Sequence, residues 1–371
     1  MRIAMIGHKR ITAFEGGIEK TVWQLSDYML RQGHQVTVYD RNCRQQKAQN
    51  TLALPEGIKV IKVPTLKGPA EVPLYSFLAA VHAAFGKYDV VMFHASGPCR
   101  MLPIVKLSRT KTIAFIHGID SQRSKWGKLA SRYLRSGEKT AAKKADELLV
   151  LSENNKKYFI KNYGREGTIV FNGVQAPVLP EDSDAILSKY GISKGEYILY
   201  SGRISKEKGL QYLIPGFLKC GSDNKLVIAG TVDRKHTAFV SELMDMGKNS
   251  SNIIYTGSLS QEELAVLYTN TKVFVLPSEI EGMPHSLLEA LSCGAACLLS
   301  DIPENMAVAG NHAVYFKAGD SDDLREKLKM LLENSEMRKM LTAGEVEEVL
   351  DKYGLEKSVK QIQSICEQIG R

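Results

Sequence analysis

The chain alternates short apolar runs with amphipathic stretches, and the whole pattern occurs twice. Each apolar run has the length of a buried strand, and each amphipathic stretch repeats its apolar residues at helical spacing. Because a crossover helix makes the strands on either side of it parallel, this alternation is typical of doubly wound α/β sheets. The sequence therefore predicts an α/β fold with two Rossmann-like domains that face each other across a cleft.

The first of these domains is predicted over residues 1–172, with its first helix at Gly17–Gln32. Prolines and acidic residues then interrupt the pattern between residues 174 and 194, which indicates an interdomain connection followed by a short helix. The predicted strands of the first domain are Ile3–Ile6, Val36–Tyr39, Lys59–Val63, Val90–Phe93, Thr112–Ile116 and Glu147–Leu151.

The second domain is predicted over residues 173–351, where the alternation resumes. Its strands are expected at Tyr197–Ser201, Lys225–Ala229, Asn252–Tyr255, Val273–Leu276, Ala296–Ser300 and Ala313–Phe316. Helices are expected at Glu262–Thr269, Ser286–Ser292, Asp322–Asn334 and Ser335–Val349, with a last one from Leu355 to about Gln368.

Composition limits the class of protein. The chain has 371 residues, of which 44% are hydrophobic and 24% charged, as in a globular protein with a sizeable core. Its apolar runs are shorter than the roughly 18 residues of a membrane span, and Met1–Gly7 is predicted to be a strand and not a secretory signal. The six cysteines are scattered and show no metal-ligand or disulfide pattern, and Cys293 and Cys297 are predicted to be buried thiols. A cytoplasmic location is the default expectation.

Charge is divided unevenly between the two halves. Residues 1–170 contain 28 Lys and Arg against 13 Asp and Glu, whereas the whole chain has a net charge of +8. A basic half points to an anionic partner, such as phosphate groups, an anionic membrane surface or nucleic acid. Because no zinc finger, helix-turn-helix or RNA-binding signature is present, nucleic acid is the least favoured of the three.

Ligands of such sheets bind beyond the carboxyl ends of the strands, and the most informative motif at such an end is Pro277–Ala290. A predicted strand ends there, a glycine loop follows, and a helix is expected to begin near Pro284. At a helix start the backbone amides of Met283, His285 and Ser286 can point at an anion. The motif therefore predicts a phosphate cradle.

Two carboxylates belong to the same motif. Glu281 falls in the loop and Glu289 in the predicted helix, and carboxylates beside a phosphate cradle suit sugar hydroxyls better than phosphate. The alternative interpretation is a solvated Glu281 and a Ser286 that only caps the helix.

A second motif places two cations after a predicted strand. Gly202 ends the strand, and Arg203 and Lys208 follow on the loop into the next helix. Two cations that are fixed in position at the end of a strand can bind a diphosphate together. They can also stabilise the negative charge that develops on a leaving group. The alternative is a pair of solvated surface charges.

Two weaker signals lie in the first half. Gly16 and Gly17 allow the backbone to approach a ligand closely at a helix start, although many tight turns look the same and no GxGxxG is present. His117 follows a predicted strand and would face the cleft, where it could bind a sugar hydroxyl or a phosphate. The alternative is a histidine with a structural role.

The segment Arg123–Lys144 is basic and amphipathic. Its Trp126, Leu129, Tyr133 and Leu134 are predicted to share one helix face. Such a helix suits attachment to anionic lipid, and the alternative is an ordinary surface helix whose apolar stripe packs inward.

Together these motifs resemble the retaining glycosyltransferases of family four, which have the two-domain B-type fold. The resemblance is carried by Glu281 and Glu289 with seven residues between them, by Gly202-Arg203 with Lys208-Gly209, by Asn172-Gly173-Val174, and by His117. The opening residues, from Ile6 through Glu19, look similar to bacterial surface-polysaccharide members, including rhamnosyltransferase-like ones. Pro284 stands where a glycine is common in that family, which removes one amide from the cradle.

The resemblance implies a hexosyltransferase that moves a sugar from a nucleotide-diphosphate sugar to a glycan or lipid-linked acceptor with retention. Arg203 and Lys208 would hold the diphosphate, and Glu289 the ribose hydroxyls. Glu281 with the backbone of Gly282 and Met283 would hold the sugar. The remaining implied donor contacts are His117, Gly16, Gly17, Gly202, His285 and Ser286.

The resemblance also implies that a final helix, about residues 352–371, returns to the first domain, which would bind the acceptor. No metal and no cofactor are implied, because the two cations do what Mg²⁺ does elsewhere. A uridine donor is expected, with guanosine and deoxythymidine diphosphates as alternatives. A lipid-linked acceptor would bring the protein to the inner face of the plasma membrane.

Other functions are left open by the sequence. A nucleotide-sugar epimerase on the same fold would turn over the donor without an acceptor, and a glycogen-type phosphorylase would bind pyridoxal phosphate through a lysine, although the chain is short for one. A nucleic-acid-binding protein would use the basic half and bind with steep salt dependence. A scaffold that has lost activity is disfavoured, because Arg203, Lys208, Glu281 and Glu289 are all present.

Overall fold

A computed structural model describes residues 1–12, 16–42, 53–66, 68–122, 127–232, 237–248 and 250–370. The chain divides into two compact units. Unit 1 comprises Met1–Gly173 and Glu356–Arg371, and unit 2 comprises Val174–Leu355.

Unit 1 is built on a seven-stranded sheet in which every pair of neighbours is parallel. The strands are β1 (Arg2–Ile6), β2 (Gln35–Asn42), β3 (Lys59–Pro64), β4 (Val90–His94), β5 (Lys111–Ile116), β6 (Glu147–Val150) and β7 (Thr168–Ile169), in the order β3-β2-β1-β4-β5-β6-β7. The helices are α1 (Gly17–Arg31), α2 (Glu71–Phe85), α3 (Ser96–Cys99), α4 (Leu102–Lys106), α5 (Lys128–Lys144) and α6 (Glu153–Tyr163). The central strands are buried on both faces, which is why they read as continuous apolar runs.

Unit 2 repeats this plan with a six-stranded parallel sheet. Its strands are β8 (Tyr197–Ser201), β9 (Lys225–Ala229), β10 (Ile253–Gly257), β11 (Val273–Leu276), β12 (Cys297–Ser300) and β13 (Ala313–Phe316), in the order β10-β9-β8-β11-β12-β13. Its helices are α7 (Ser183–Lys189), α8 (Leu210–Cys220), α9 (Thr237–Gly247), α10 (Gln261–Asn270), α11 (His285–Ser292), α12 (Pro303–Ala309), α13 (Ser321–Glu333), α14 (Ser335–Thr342) and α15 (Glu345–Tyr353). The predicted α/β class with two doubly wound sheets is confirmed.

The last helix, α16 (Leu355–Gly370), belongs to unit 1 from Glu356 onward. The Gln361 side chain donates a hydrogen bond to the Ile169 carbonyl at 3.0 Å, and Val359, Ile362 and Cys366 are buried. The helix begins at Leu355, as the apolar pattern predicted, and residues 352 and 353 of the range implied by the resemblance end α15 instead. Among the described residues, no helix is both long and apolar enough to cross a bilayer.

One predicted helix is wrong. Residues 335–349 were expected to form a single helix, but α14 ends at Thr342 and α15 begins at Glu345. Gly344 adopts a φ of +73°, in the left-handed region that breaks a helix and that glycine tolerates best. The apolar periodicity continues on both sides of this break, so periodicity alone did not reveal it.

Candidate functional site

In unit 2, the predicted cations and the first predicted carboxylate follow two neighbouring strands. β8 and β11 are hydrogen-bonded to each other at the point where the strand order reverses. Arg203 and Lys208 follow β8, and Glu281 follows β11. Because ligands of doubly wound sheets bind beyond the carboxyl ends at this point, all three residues belong to loops where a ligand is expected.

The loops after β8 and β11 are packed against each other. Gly209 has a φ of +76°, and a Cβ at this position would lie 1.8 Å from the Pro277 carbonyl oxygen. The Glu279 amide also donates a hydrogen bond to the Glu207 carbonyl at 3.0 Å. Only glycine at position 209 permits this close approach, which keeps Lys208 beside the loop that carries Glu281.

Lys208 and Glu281 form an ion pair within unit 2. The Lys208 ammonium donates to Oε1 of Glu281 at 2.5 Å, and the two side chains are only 15% and 7% exposed. Arg203 is half-buried on the same loop, and its side chain has no ion-pair partner in the part of the chain that the structure describes. An ammonium has three N–H donors, so Lys208 can hold Glu281 and still donate to an anion.

Glu289 is held from an adjacent helix. The Tyr268 hydroxyl, on α10, donates a hydrogen bond to Oε2 of Glu289 at 3.1 Å. Burial and then the nearby Glu289 carboxylate raise the pKa of Tyr268 well above its ordinary value, so its hydroxyl keeps the proton. Tyr268 was not predicted, because a tyrosine on the apolar face of a predicted helix looks like a core residue.

The residues of the predicted cradle lie at the start of α11. Pro284 is the residue before the helix, in an extended conformation, and α11 begins at His285. Met283 and Gly282 are buried, whereas His285 and Ser286 are partly exposed. The helix thus begins next to Pro284, as expected, and its first amide belongs to His285.

In unit 1, the paired glycines lie at the start of a helix as expected. Gly16 is the extended residue before α1, and Gly17 is the first residue of that helix. The buried Glu19 carboxylate of the same turn accepts a hydrogen bond from the Lys9 amide at 3.0 Å, which ties the segment after β1 to α1. Glu15 lies outside the described residues.

His117 directly follows β5 and contacts a second histidine. Nε2 of His117 and Nδ1 of His94 lie 2.9 Å apart, at hydrogen-bond distance, and the two rings stack with centroids 5.2 Å apart. Phe115 packs on His117 at 4.2 Å. Burial lowers the pKa of His117 to about 3, so this imidazole is neutral.

A second buried polar pair, His8 and Asp40, lies on neighbouring strands of the same sheet and was not predicted. Nε2 of His8 lies 2.8 Å from Oδ1 of Asp40, and that oxygen also accepts a hydrogen bond from the Ile11 amide at 3.0 Å. The signal that could have found His8, Asp40 and His94 is a polar residue at the carboxyl end of an apolar run, the same signal that identified His117.

The basic helix is shorter than predicted, and its apolar residues do not share one face. α5 begins at Lys128, and residues 123–126, including Arg123 and Trp126, lie outside the described residues. Leu134 is buried, whereas Leu129 is 80% exposed. The predicted common apolar face is therefore wrong, because residues five apart are rotated by about 140° around a helix.

Two family models match the chain, one in each half. The model described as Glycosyltransferase Family 4 matches residues 15–176. The model described as Glycosyl transferases group 1 matches residues 182–345, which include Arg203, Lys208, Glu281 and Glu289.

Curated relatives have glycosyltransferase names. An uncharacterized glycosyltransferase of Methanocaldococcus jannaschii is 24% identical, with 97% of this chain and 96% of the relative covered. An O-antigen chain mannosyltransferase B of Escherichia coli is 25% identical, with 45% of each chain covered. An N,N'-diacetylbacillosaminyl-diphospho-undecaprenol α-1,3-N-acetylgalactosaminyltransferase of Campylobacter jejuni is 27% identical, over 46% of this chain and 44% of the relative. This chain thus covers less than half the length of each of the last two relatives.

Solved structures share the fold over nearly the whole chain. Sucrose-phosphate synthase from Thermosynechococcus elongatus superposes with a TM-score of 0.84 at 17% identity, covering 99% of this chain and 98% of that one. HepE of Anabaena, in complex with UDP and glucose, superposes with a TM-score of 0.81 at 15% identity, covering 99% of both chains. With family models matched in both halves, the chain belongs to the family 4 glycosyltransferases with the two-domain B-type fold.

Proposed function

We propose that this glycosyltransferase transfers a hexosyl group from a nucleotide-diphosphate sugar to a glycan or lipid-linked acceptor, with retention, in the synthesis of a bacterial surface polysaccharide. The observation that carries the proposal is the grouping of Arg203, Lys208 and Glu281 at the carboxyl ends of β8 and β11. Cations beside a carboxylate suit a ligand that combines a diphosphate with sugar hydroxyls.

The diphosphate is proposed to bind Arg203 and Lys208. A half-buried guanidinium and a largely buried ammonium lie in a region of low dielectric, where charges stabilise a departing diphosphate more strongly than in water. This preorganised charge makes a metal ion unnecessary in the proposed reaction. Lys208 keeps Glu281 as its partner, so the same contact orients the carboxylate towards the sugar hydroxyls.

The nucleoside is proposed to bind through Glu289. Its carboxylate is oriented by the Tyr268 hydroxyl and remains partly exposed, as a group that accepts hydrogen bonds from ribose hydroxyls must be. The backbone from Gly282 to Ser286 would hold the sugar and phosphate oxygens. Gly202, Gly16, Gly17 and His117 complete the proposed donor contacts.

The donor base and the acceptor are proposed from the relatives. The UDP bound to HepE supports a uridine donor, and the diphospho-undecaprenol in the name of the Campylobacter relative supports a lipid-linked acceptor. The mannosyltransferase among the relatives makes a guanosine donor the first alternative. A lipid-linked acceptor would bring the enzyme to the inner face of the plasma membrane.

A thermal-shift panel tests the donor. UDP, GDP and dTDP are added separately to the wild-type protein, and the correct diphosphate raises the unfolding temperature because it binds the folded state. The stabilising nucleotide then selects the sugar donors for a turnover assay. A panel in which none of the three nucleotides stabilises the protein contradicts the proposed donor class.

Two alanine variants test the cation clamp. Arg203→Ala and Lys208→Ala are each expected to lower turnover by about 10²-fold or more, as the loss of a preorganised charge does. Lys206→Ala removes an exposed cation from the same loop and serves as the matched control. Near-normal turnover of either clamp variant would remove that residue from the proposed mechanism.

A further inference from the structure

The backbone on both sides of Arg203 is fixed to the carboxyl end of β9. The Gly202 amide donates a hydrogen bond to the Ala229 carbonyl at 3.0 Å, and the Ile204 amide donates one to the Thr231 carbonyl at 2.9 Å. Ala229 is the last residue of β9, and Thr231 follows that strand. These bonds fix the amides that flank Arg203, but neither of them involves the Arg203 carbonyl.

The Arg203 carbonyl is held by a buried tyrosine. The Tyr200 hydroxyl, from β8, donates a hydrogen bond to this oxygen at 2.9 Å, and the Tyr200 side chain is fully buried. Burial raises the pKa of Tyr200 above its ordinary value, so the hydroxyl keeps the proton that it donates. Because a carbonyl that is partly shielded from water needs a partner, this hydrogen bond fixes the orientation of the Arg203 peptide group.

Two glycines make room for this arrangement. A Cβ at Gly202 would lie 3.1 Å from the hydroxyl oxygen of Tyr200, which is too close for an unstrained contact. Gly230 has a φ of +153°, and a Cβ there would lie 1.8 Å from the Gly202 carbonyl oxygen. The loop is therefore packed closely around the Tyr200 hydroxyl, which restricts the backbone from which the Arg203 side chain extends.

We propose that Tyr200 is a positioning residue whose hydroxyl fixes the Arg203 peptide group, so that the guanidinium is in place before the donor binds. The inference rests on the proposed function, because it assumes that Arg203 binds the diphosphate. A charge stabilises a departing diphosphate best when it is already in position, and a small displacement of such a group lowers turnover strongly. Lys208 is positioned separately, through its ion pair with Glu281.

A double-mutant cycle distinguishes positioning from packing. Tyr200→Phe removes the hydroxyl and retains the ring. With the nucleotide sugar identified by the panel above, we expect Tyr200→Phe to lower kcat about tenfold. In an Arg203→Ala background we expect the same change to have no further effect, because no guanidinium is left to position. A purely structural hydroxyl would lower kcat by the same factor in both backgrounds.

Tyr197 offers a matched control on the same strand. It is the first residue of β8 and is fully buried, and its hydroxyl donates a hydrogen bond to the Leu267 carbonyl at 2.7 Å. Tyr197→Phe therefore removes the same kind of hydrogen bond at the opposite end of the strand. We expect it to lower the unfolding temperature about as much as Tyr200→Phe does, and to leave turnover at the wild-type level.

The outcomes separate this inference from the proposed function. Normal turnover of Tyr200→Phe beside an impaired Arg203→Ala overturns the role of Tyr200 and leaves the clamp intact. A loss that persists in full without Arg203 does the same, and so do equal losses of turnover in Tyr197→Phe and Tyr200→Phe. Near-normal turnover of Arg203→Ala contradicts the clamp itself, and the role of Tyr200 fails with it.

Discussion

Glu345 is the first residue of α15 and is completely buried. Neither carboxylate oxygen has a hydrogen-bond partner among the described residues. Burial raises the pKa of Glu345 from its ordinary 4.5 to about 9, so the folded protein holds this side chain protonated at neutral pH. The unfolded chain ionises it above its ordinary pKa, which makes folding less favourable as the pH rises.

The substitution Glu345→Gln tests this assignment. The folded pKa is raised, so between pH 4.5 and 9 unfolding releases a proton and the wild type loses stability with rising pH. We expect Glu345→Gln to abolish this loss, with a difference in the free energy of unfolding that grows by at most about 1.4 kcal/mol per pH unit. Urea unfolding at pH 5, 7 and 9 measures it.

The matched control for this experiment is Glu347→Gln, an exposed position on the same helix. An equal pH dependence of the wild type and Glu345→Gln would contradict a protonated Glu345.

At the scale of elements, the sequence predicted the central strands well and the helix ends poorly. Strands such as β8 and β11 are buried on both faces, and their apolar runs mark them directly. Helix boundaries depend on single backbone conformations, such as the left-handed Gly344 between α14 and α15, and these leave the apolar periodicity unchanged. The two-residue strand β7 is too short to produce any pattern.

Some residues of the candidate site were likewise predicted from the sequence, and others were not. Arg203, Lys208 and Glu281 were predicted from their position after apolar runs, and the structure places them after adjacent strands. Tyr268 contacts the predicted Glu289 in unit 2, and His94 contacts the predicted His117 in unit 1. Both were missed because contacts between distant parts of the chain are not visible in local patterns.

α5 presents its cations to solvent, and this supports contact with an anionic surface. Lys128, Arg132, Arg135 and Lys139 are exposed together with Leu129. We expect the double substitution Arg132→Glu with Arg135→Glu to weaken binding to phosphatidylglycerol vesicles at least about tenfold, since each cation near such a surface contributes about 1 kcal/mol. Vesicle co-sedimentation at low salt measures this binding.

Lys329→Glu with Lys339→Glu reverses two exposed charges on unit 2 and is the control for α5. If both double variants bind the vesicles as the wild type does, or if phosphatidylcholine vesicles bind equally well, α5 is an ordinary surface helix.

At the scale of the whole molecule, unit 1 is assembled from two separated stretches of sequence. Ile362 of α16 is 2% exposed. We expect Ile362→Ala to destabilise unit 1 by about 2–4 kcal/mol, as the removal of a buried aliphatic side chain does. Hydrogen exchange read by mass spectrometry should show lost protection in residues 1–173.

The control for this prediction is Lys360→Ala, an exposed position on the same helix. Lost protection confined to residues 174–355 would contradict the assignment of α16 to unit 1.

The return of the chain to unit 1 has a consequence for synthesis on the ribosome. Unit 2 is contiguous and can complete its core as soon as Leu355 has emerged, whereas unit 1, although translated first, lacks its final helix until α16 follows. The half that is made first is thus finished last. During translation, the surface of unit 1 that buries Val359, Ile362 and Cys366 therefore stays uncovered until α16 emerges.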